Sequence, residues 1–130
     1  MASLLIVDDD EIIRGVLYEL FSPAHLCETA PTAEDALTRL GSRDYDVVIT
    51  DLCMPGMSGE QLLGFLKVHQ PRTPVLFISG SSGRESAERL LKRGASDYLV
   101  KPFPLDELAA KVERLIQHRR RVAPWPVAAD

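Results

Sequence analysis

Three short apolar runs punctuate the chain: SLLIV at 3–7, VVIT at 47–50 and VLFIS at 75–79. Each is continuous rather than alternating, the pattern of a parallel strand covered on both faces. Two weaker runs, HLCETA at 25–30 and DYLV at 97–100, predict strands nearer the edges of the same sheet. Helical spacing fills the gaps. Ile12, Ile13, Val16, Leu17, Leu20 and Phe21 form one apolar stripe. Thr32 and Asp35 start a second helix around Ala36, Leu37 and Leu40, which stops at Gly41. Ser58 and Gln61 open a third, carrying Leu62, Leu63, Phe65 and Leu66. A thin stripe of Ala87, Leu90 and Leu91 ends at Gly94, and Leu105, Leu108, Ala109, Val112, Leu115 and Ile116 make the last and longest.

Alternating β and α units with short connections imply a parallel sheet with right-handed crossovers. Five units predict a single α/β domain, (βα)5, doubly wound in the flavodoxin-like strand order 2-1-3-4-5. Ligands of such sheets bind beyond the carboxyl ends of the strands, where the order reverses between the first and third. The 130 residues suit one domain with a real core. A net charge of −4 gives no general affinity for nucleic-acid phosphates. No apolar run reaches the ~18 residues of a membrane span. Cys27 and Cys53 form no disulfide or metal pattern, so a reducing cytoplasm is expected.

The predicted strand ends carry chemistry. The first ends in Asp8, Asp9 and Asp10, the third at Asp51, the fourth at Ser79-Gly80 and the fifth at Lys101-Pro102. Two like charges ~4 Å apart repel by roughly 4 kcal/mol at an effective dielectric of 20. Several carboxylates around one crevice therefore need compensation, which Lys101 and a hard divalent cation would supply. Oxygen-only ligands suit Mg²⁺, with Mn²⁺ as the alternative. Carboxylates, a metal, an ammonium and a hydroxyl resemble a phosphoryl-transfer site. With no Gly-rich phosphate cradle and no evident base for water, the nucleophile left is Asp51, which would form an aspartyl phosphate. Asp10 is read as a helix cap. Gly56, Gly59, Gly80 and Gly94 are read as backbone geometry.

LLIVDDDE, VVITDLCMPGMSG, VLFISG and KRGASDYLVKPF, in this order and spacing, closely resemble the receiver domain of two-component response regulators. The resemblance runs from about Ser3 to Arg119, so 1–119 is expected to be the receiver and 120–130 a Pro-containing tail or linker. It implies that Asp51 is the phosphoacceptor and that Asp8 and Asp9 hold Mg²⁺, Asp9 the more directly, with the backbone carbonyl of Cys53. It implies that Lys101 contacts the phosphoryl group and is joined to Pro102 by a cis bond. Ser79 would move to bond the phosphate, Tyr98 would turn inward as Ser79 moves, and Gly80 would keep the phosphate accessible. Cys53 and Ser81 would flank the phosphate.

The implied function is a phosphorylation switch. A histidine kinase or histidine phosphotransfer protein donates the phosphoryl group. The surface of the fourth helix, fifth strand and fifth helix then controls an output domain or a downstream protein. A phosphorylation-dependent homodimer is a further expected partner. The receiver would assist its own phosphorylation and dephosphorylation without being a small-molecule enzyme. Its start at the first residues argues against the tail of a hybrid kinase. A flavodoxin-like cofactor binder is disfavoured because the loop after the first strand is acidic. A small-molecule phosphatase would need a second acid beside the nucleophile and a capping insertion. A pure docking module would not need every site position filled. Arg119 to Arg121 are expected to face solvent.

Overall fold

The computed structural model describes residues 1–80 and 84–122, without the side chains of 84–87 and 121–122. Ser81 and the segment 123–130, with Pro124 and Pro126, lie outside the described residues. The elements alternate as β1 (Ser3–Val7), α1 (Glu11–Phe21), β2 (Leu26–Ala30), α2 (Ala33–Leu40), β3 (Val47–Asp51), α3 (Gly59–His69), β4 (Val75–Ser79), α4 (Arg84–Lys92), β5 (Asp97–Val100) and α5 (Leu105–Val122). All four strand pairings are parallel, in the order β2-β1-β3-β4-β5. The two weaker runs are the edge strands, as their mixed burial requires. The α5 helix runs on to Val122, past residue 119.

Strand side chains alternate between two cores. Leu5, Val7, Val48, Val75 and Phe77 face α2, α3 and α4, joining Ala36, Leu62, Leu66 and Leu90. Leu4, Ile6, Val47, Ile49, Leu76 and Ile78 face α1 and α5, joining Leu17, Phe21, Leu108, Val112 and Ile116. The central β3 and β4 are buried at every position. Their continuous apolar sequence follows from cover on both faces. Each fully buried Leu, Ile or Phe contributes about 1.5–3 kcal/mol, so the strand that carries Asp51 is among the hardest parts of the fold to displace.

Caps set where the helices begin. Asp10 accepts from the backbone N–H of Ile12 at 2.9 Å and of Ile13 at 3.3 Å. Ser58 and Gln61 bond reciprocally in a capping box at α3. The α1 stripe departs from expectation: Ile12 is 76% exposed and Val16 is also exposed. Residues 12, 13, 16, 17, 20 and 21 span too wide an arc for one sheet to cover, and the sheet takes Leu17 and Phe21. Arg119 also departs from expectation. It is half-buried and donates to Asp46 at 2.8 Å and to the Tyr45 carbonyl at 2.7 Å, tying α5 to the start of β3. Only Arg120 is observed facing solvent, since the side chain of residue 121 is not described.

Gly59 is where α3 meets the end of β3. A Cβ there would lie 2.6 Å from the Asp51 carbonyl oxygen and 2.8 Å from Phe77 Cε1, whereas one at Gly64 meets nothing within 4 Å. Gly59→Ala is therefore expected to cost about 2–3 kcal/mol through overpacking. Gly64→Ala is expected to gain roughly 0.5–1 kcal/mol from helix propensity. Urea unfolding of the two variants checks this, and equal midpoints would refute the close approach.

Candidate functional site

The strand order reverses between β1 and β3, so the loops after them diverge and leave a crevice at their carboxyl ends. Asp8 follows β1 directly and Asp51 is the last residue of β3. Their carboxylates, with that of Asp9, lie within 4.8 Å of one another. Asp8 is only 1% exposed and Asp51 8%, while Asp9 is open to solvent. Lys101 Nζ, just past β5, approaches Asp51 Oδ2 at 3.8 Å. The backbone fixes this spacing. Asp8 N donates to the Ala30 carbonyl at 3.2 Å, Leu52 N to Ile78 at 2.9 Å and Lys101 N to Ser79 at 2.7 Å. The Lys101–Pro102 peptide is cis, as expected.

Burial and mutual repulsion strain the carboxylates. The Asp8 pKa is pushed up to about 6, chiefly by burial, with the Asp51 and Asp9 charges adding to it. The Asp10 N–H and Lys101 oppose the rise. Asp51 is also raised, again by burial first, against Lys101 and the backbone N–H groups of Cys53 and Leu52. Two buried polar atoms here have no hydrogen-bond partner: Asp8 Oδ2 and the Ser79 hydroxyl. An unpaired buried polar atom costs about 1–3 kcal/mol, so both point to a group the site is built to receive. An all-oxygen donor set with an unpaired buried carboxylate oxygen fits a hard divalent cation such as Mg²⁺. No His or Cys of the described residues joins the cluster.

The remaining expected residues divide. Ser79 ends β4 and pairs in register with Val100, one residue before Lys101. Gly80 is exposed, and a Cβ there would meet nothing within 4 Å, so local packing does not demand glycine. Cys53 is exposed at the crevice rim, with its backbone N–H turned to Asp51. Tyr98 sits further down β5, half-buried against the core that contains Phe77 and Leu90. Asp10 caps α1 and is not in the acidic cluster.

Four supporting contacts had no sequence signal strong enough to find them. Arg14 donates to the Asp8 carbonyl at 2.8 Å, holding the loop after β1. Glu34 of α2 accepts from Met57 N at 3.0 Å, pinning the loop after β3 from 23 residues away. Arg89 of α4, at 3.2 Å, and Arg93 just past it both pair with Glu60 at the start of α3. Polar residues inside helical stripes were the only hint of them.

The family model described as the response regulator receiver domain matches residues 4–113. The chain belongs to this family. It is 41% identical over 114 residues to the DNA-binding transcriptional regulator NtrC of Salmonella typhimurium, covering 87% of this chain and 24% of NtrC. The chain thus spans about a quarter of the length of that relative. A response regulator receiver domain protein from Clostridium thermocellum superposes with a TM-score of 0.89 at 27% identity, over 94% of this chain and 99% of that one. TrrA from Thermotoga maritima, solved in complex with Mg(2+)-BeF, gives a TM-score of 0.78 at 35% identity, over 88% and 99%. Membership places the chain in two-component, phosphorylation-dependent signalling. No helix among the described residues is long and apolar enough to cross a membrane.

The Asp8 shift has a pH consequence. The folded receiver keeps a proton on Asp8 that the unfolded chain releases above its ordinary value of 3.8, so stability falls as pH rises from 3.8 to about 6. Without divalent metal, Asp8→Asn is expected to raise stability at pH 7 by up to about 3 kcal/mol and to flatten the dependence across that window. Chemical denaturation at several pH values in chelator checks this. Parallel curves for both proteins would refute the shift.

Proposed function

We propose that this receiver takes a phosphoryl group onto Asp51 from the phosphohistidine of a sensor kinase or histidine phosphotransfer protein, and that the phosphate switches the surface of α4, β5 and α5. The observation that carries this reading is the buried Asp51 carboxylate, with two further acids within 4.8 Å and Lys101 at 3.8 Å. A carboxylate so placed is a poor structural element and a well-aimed nucleophile. Support also comes from TrrA, whose solved form holds Mg(2+)-BeF.

In the step proposed, an Asp51 carboxylate oxygen forms a bond to phosphorus while the P–N bond to the donor imidazole breaks. The bonding pair stays with the imidazole nitrogen. Asp8, Asp9 and Asp51, with the Cys53 carbonyl, would hold Mg²⁺, or Mn²⁺ in its place, and that cation would supply positive charge against the acids and the phosphoryl group. The Lys101 ammonium neutralises a second phosphoryl oxygen. The Ser79 hydroxyl, buried without a partner, donates to a third. Gly80 leaves room beside it.

The same contacts drive the switch. Reversing a 1:99 population takes ~5.5 kcal/mol of differential stabilisation. One charge-assisted hydrogen bond supplies about 1.5–3 kcal/mol, so neither Ser79 nor Lys101 meets the requirement alone and the two together meet it only when both act at the top of that range. Movement of Ser79 lets Tyr98 turn inward. The α4 helix is a suitable element to shift, because Leu90 is its buried anchor among the described side chains. Its arginine ties to Glu60 are surface pairs worth about 0.2–1 kcal/mol each. The signal then passes to an output domain or a separate protein, with a phosphorylation-dependent homodimer as one form of that output.

The donor needs a place to dock beside Asp9. Exposed Ile12 and Val16, with Leu20 and Leu105, line a groove between α1 and α5 whose rim carries Glu11 and Glu19. An apolar helix face with basic flanks on the donor would fit it.

Intact mass after incubation with acetyl phosphate and Mg²⁺ tests the chemistry. Wild type is expected to gain one phosphoryl group and Asp51→Asn none. A gain in the variant, or none in wild type even with beryllium fluoride as the analogue, would overturn the reading. Asp9→Ala is expected to weaken Mg²⁺ binding by about tenfold or more. Lys101→Ala is expected to accept phosphate without the conformational change. Ile12→Glu is expected to slow transfer from the protein donor by about tenfold, a loss of roughly 1.4 kcal/mol, while leaving acetyl phosphate unaffected. Equal slowing with both donors would refute the docking groove.

A further inference from the structure

The end of the sheet opposite Asp51 holds a second site of the reverse charge. A cleft of about 800 Å³ opens between the last turn of α3, the segment leading into β4, the start of β5 and the middle of α5. Lys67, Arg72, Lys111, Arg114, His118 and Arg119 line it, with Asp97 as its carboxylate. Lys111 pairs with Asp97 at 3.0 Å and Arg119 with Asp46 at 2.8 Å. Lys67, Arg114 and His118 have no hydrogen-bond or ion-pair partner among the described residues.

Such a concentration of cations on a chain of net charge −4 calls for a physical reason. The helix dipole accounts for Lys67, which lies in the last turn of α3. It does not account for Lys111 and Arg114, which sit mid-way along α5 (Leu105–Val122). Lys111, Arg114, Leu115 and His118 recur at i, i+3, i+4 and i+7, so α5 turns one continuous face to the cleft. Asp97 and Asp46 answer Lys111 and Arg119, which leaves Lys67 and Arg114 as like charges on the cleft whose mutual repulsion a bound anion would relieve. The volume falls within the roughly 300–1,000 Å³ typical of small-molecule pockets.

We propose that this cleft binds a small molecule of nucleotide size carrying several phosphate groups. Lys67 supplies a point charge on one wall, and Arg114 a planar fork on the other that matches phosphate oxygens in pairs. The cleft flanks the start of β5 and one face of α5. A bound polyanion would therefore bear on the elements proposed to carry the phosphorylation signal, from the end of the sheet away from Asp51.

Titration of the ¹⁵N-labelled chain with inorganic tripolyphosphate and with ATP tests this, in chelator so that the acidic crevice takes no part. Saturable shifts are expected at Lys67, Ser96, Asp97 and Arg114 to His118, with Kd below about 1 mM, weakening as salt is raised. Lys67→Glu with Arg114→Glu is expected to weaken binding by about a hundredfold. Lys67→Gln alone gives a smaller loss and guards against misfolding, with thermal melting as the control. No saturation by about 10 mM, or equal shifts in the charge-reversed variant, would overturn the proposal. Tighter binding of a hexaglutamate peptide than of either phosphate probe would overturn it in favour of an acidic protein segment.

Discussion

Three carboxylates are held within 4.8 Å of one another, two of them nearly out of contact with water. Left to themselves they would separate or protonate: burial first, and then the neighbouring Asp51 and Asp9 charges, push the Asp8 pKa up to about 6. The sheet keeps them together. Asp8 and Asp51 stand at the ends of neighbouring strands whose register is set by backbone bonds and by apolar side chains on both faces. A strand as deeply buried as β3 cannot slide to relieve one charged residue. The burial energy of the cores thus sustains an electrostatic arrangement that costs stability on its own and that fits a hard divalent cation.

The neighbouring parts follow from that constraint. Arg14 and Glu34 hold the two loops at the crevice, each through a single bond to backbone. Gly59 lets α3 start against the Asp51 carbonyl, where any side chain would push the strand end aside. Ser79 is kept buried at the end of β4 with no hydrogen-bond partner for its hydroxyl. On the α4 side, among the described side chains, Leu90 is buried and Arg89 and Arg93 make exposed ion pairs with Glu60.

Most of this was legible in the chain because strand burial writes itself as continuous apolar runs. SLLIV, VVIT and VLFIS read as strands covered on both faces, and the mixed HLCETA and DYLV as strands nearer the edges, which is where they lie. The positions of Asp8, Asp51 and Lys101 followed, since strand ends in this topology share one crevice. Periodicity was a poorer guide to how far a helix face is covered. Ile12 and Val16 fit the α1 stripe, but packing on a sheet covers a narrower arc than the stripe offers. Arg119 was misjudged because its partners, Tyr45 and Asp46, lie more than 70 residues away and carry no spacing signal. Contacts such as Glu34 to Met57 and Arg14 to the Asp8 carbonyl involve backbone on one side, which no side-chain pattern encodes.

The account rests on Asp51 as the nucleophile, so the most direct measurement is to locate the phosphoryl group. The receiver would be phosphorylated, reduced with borohydride to convert any aspartyl phosphate to homoserine, digested, and mapped by peptide mass. The account predicts homoserine at position 51 alone. Homoserine at Asp8 or Asp9, or an acid-stable phosphate on Ser79, would contradict it.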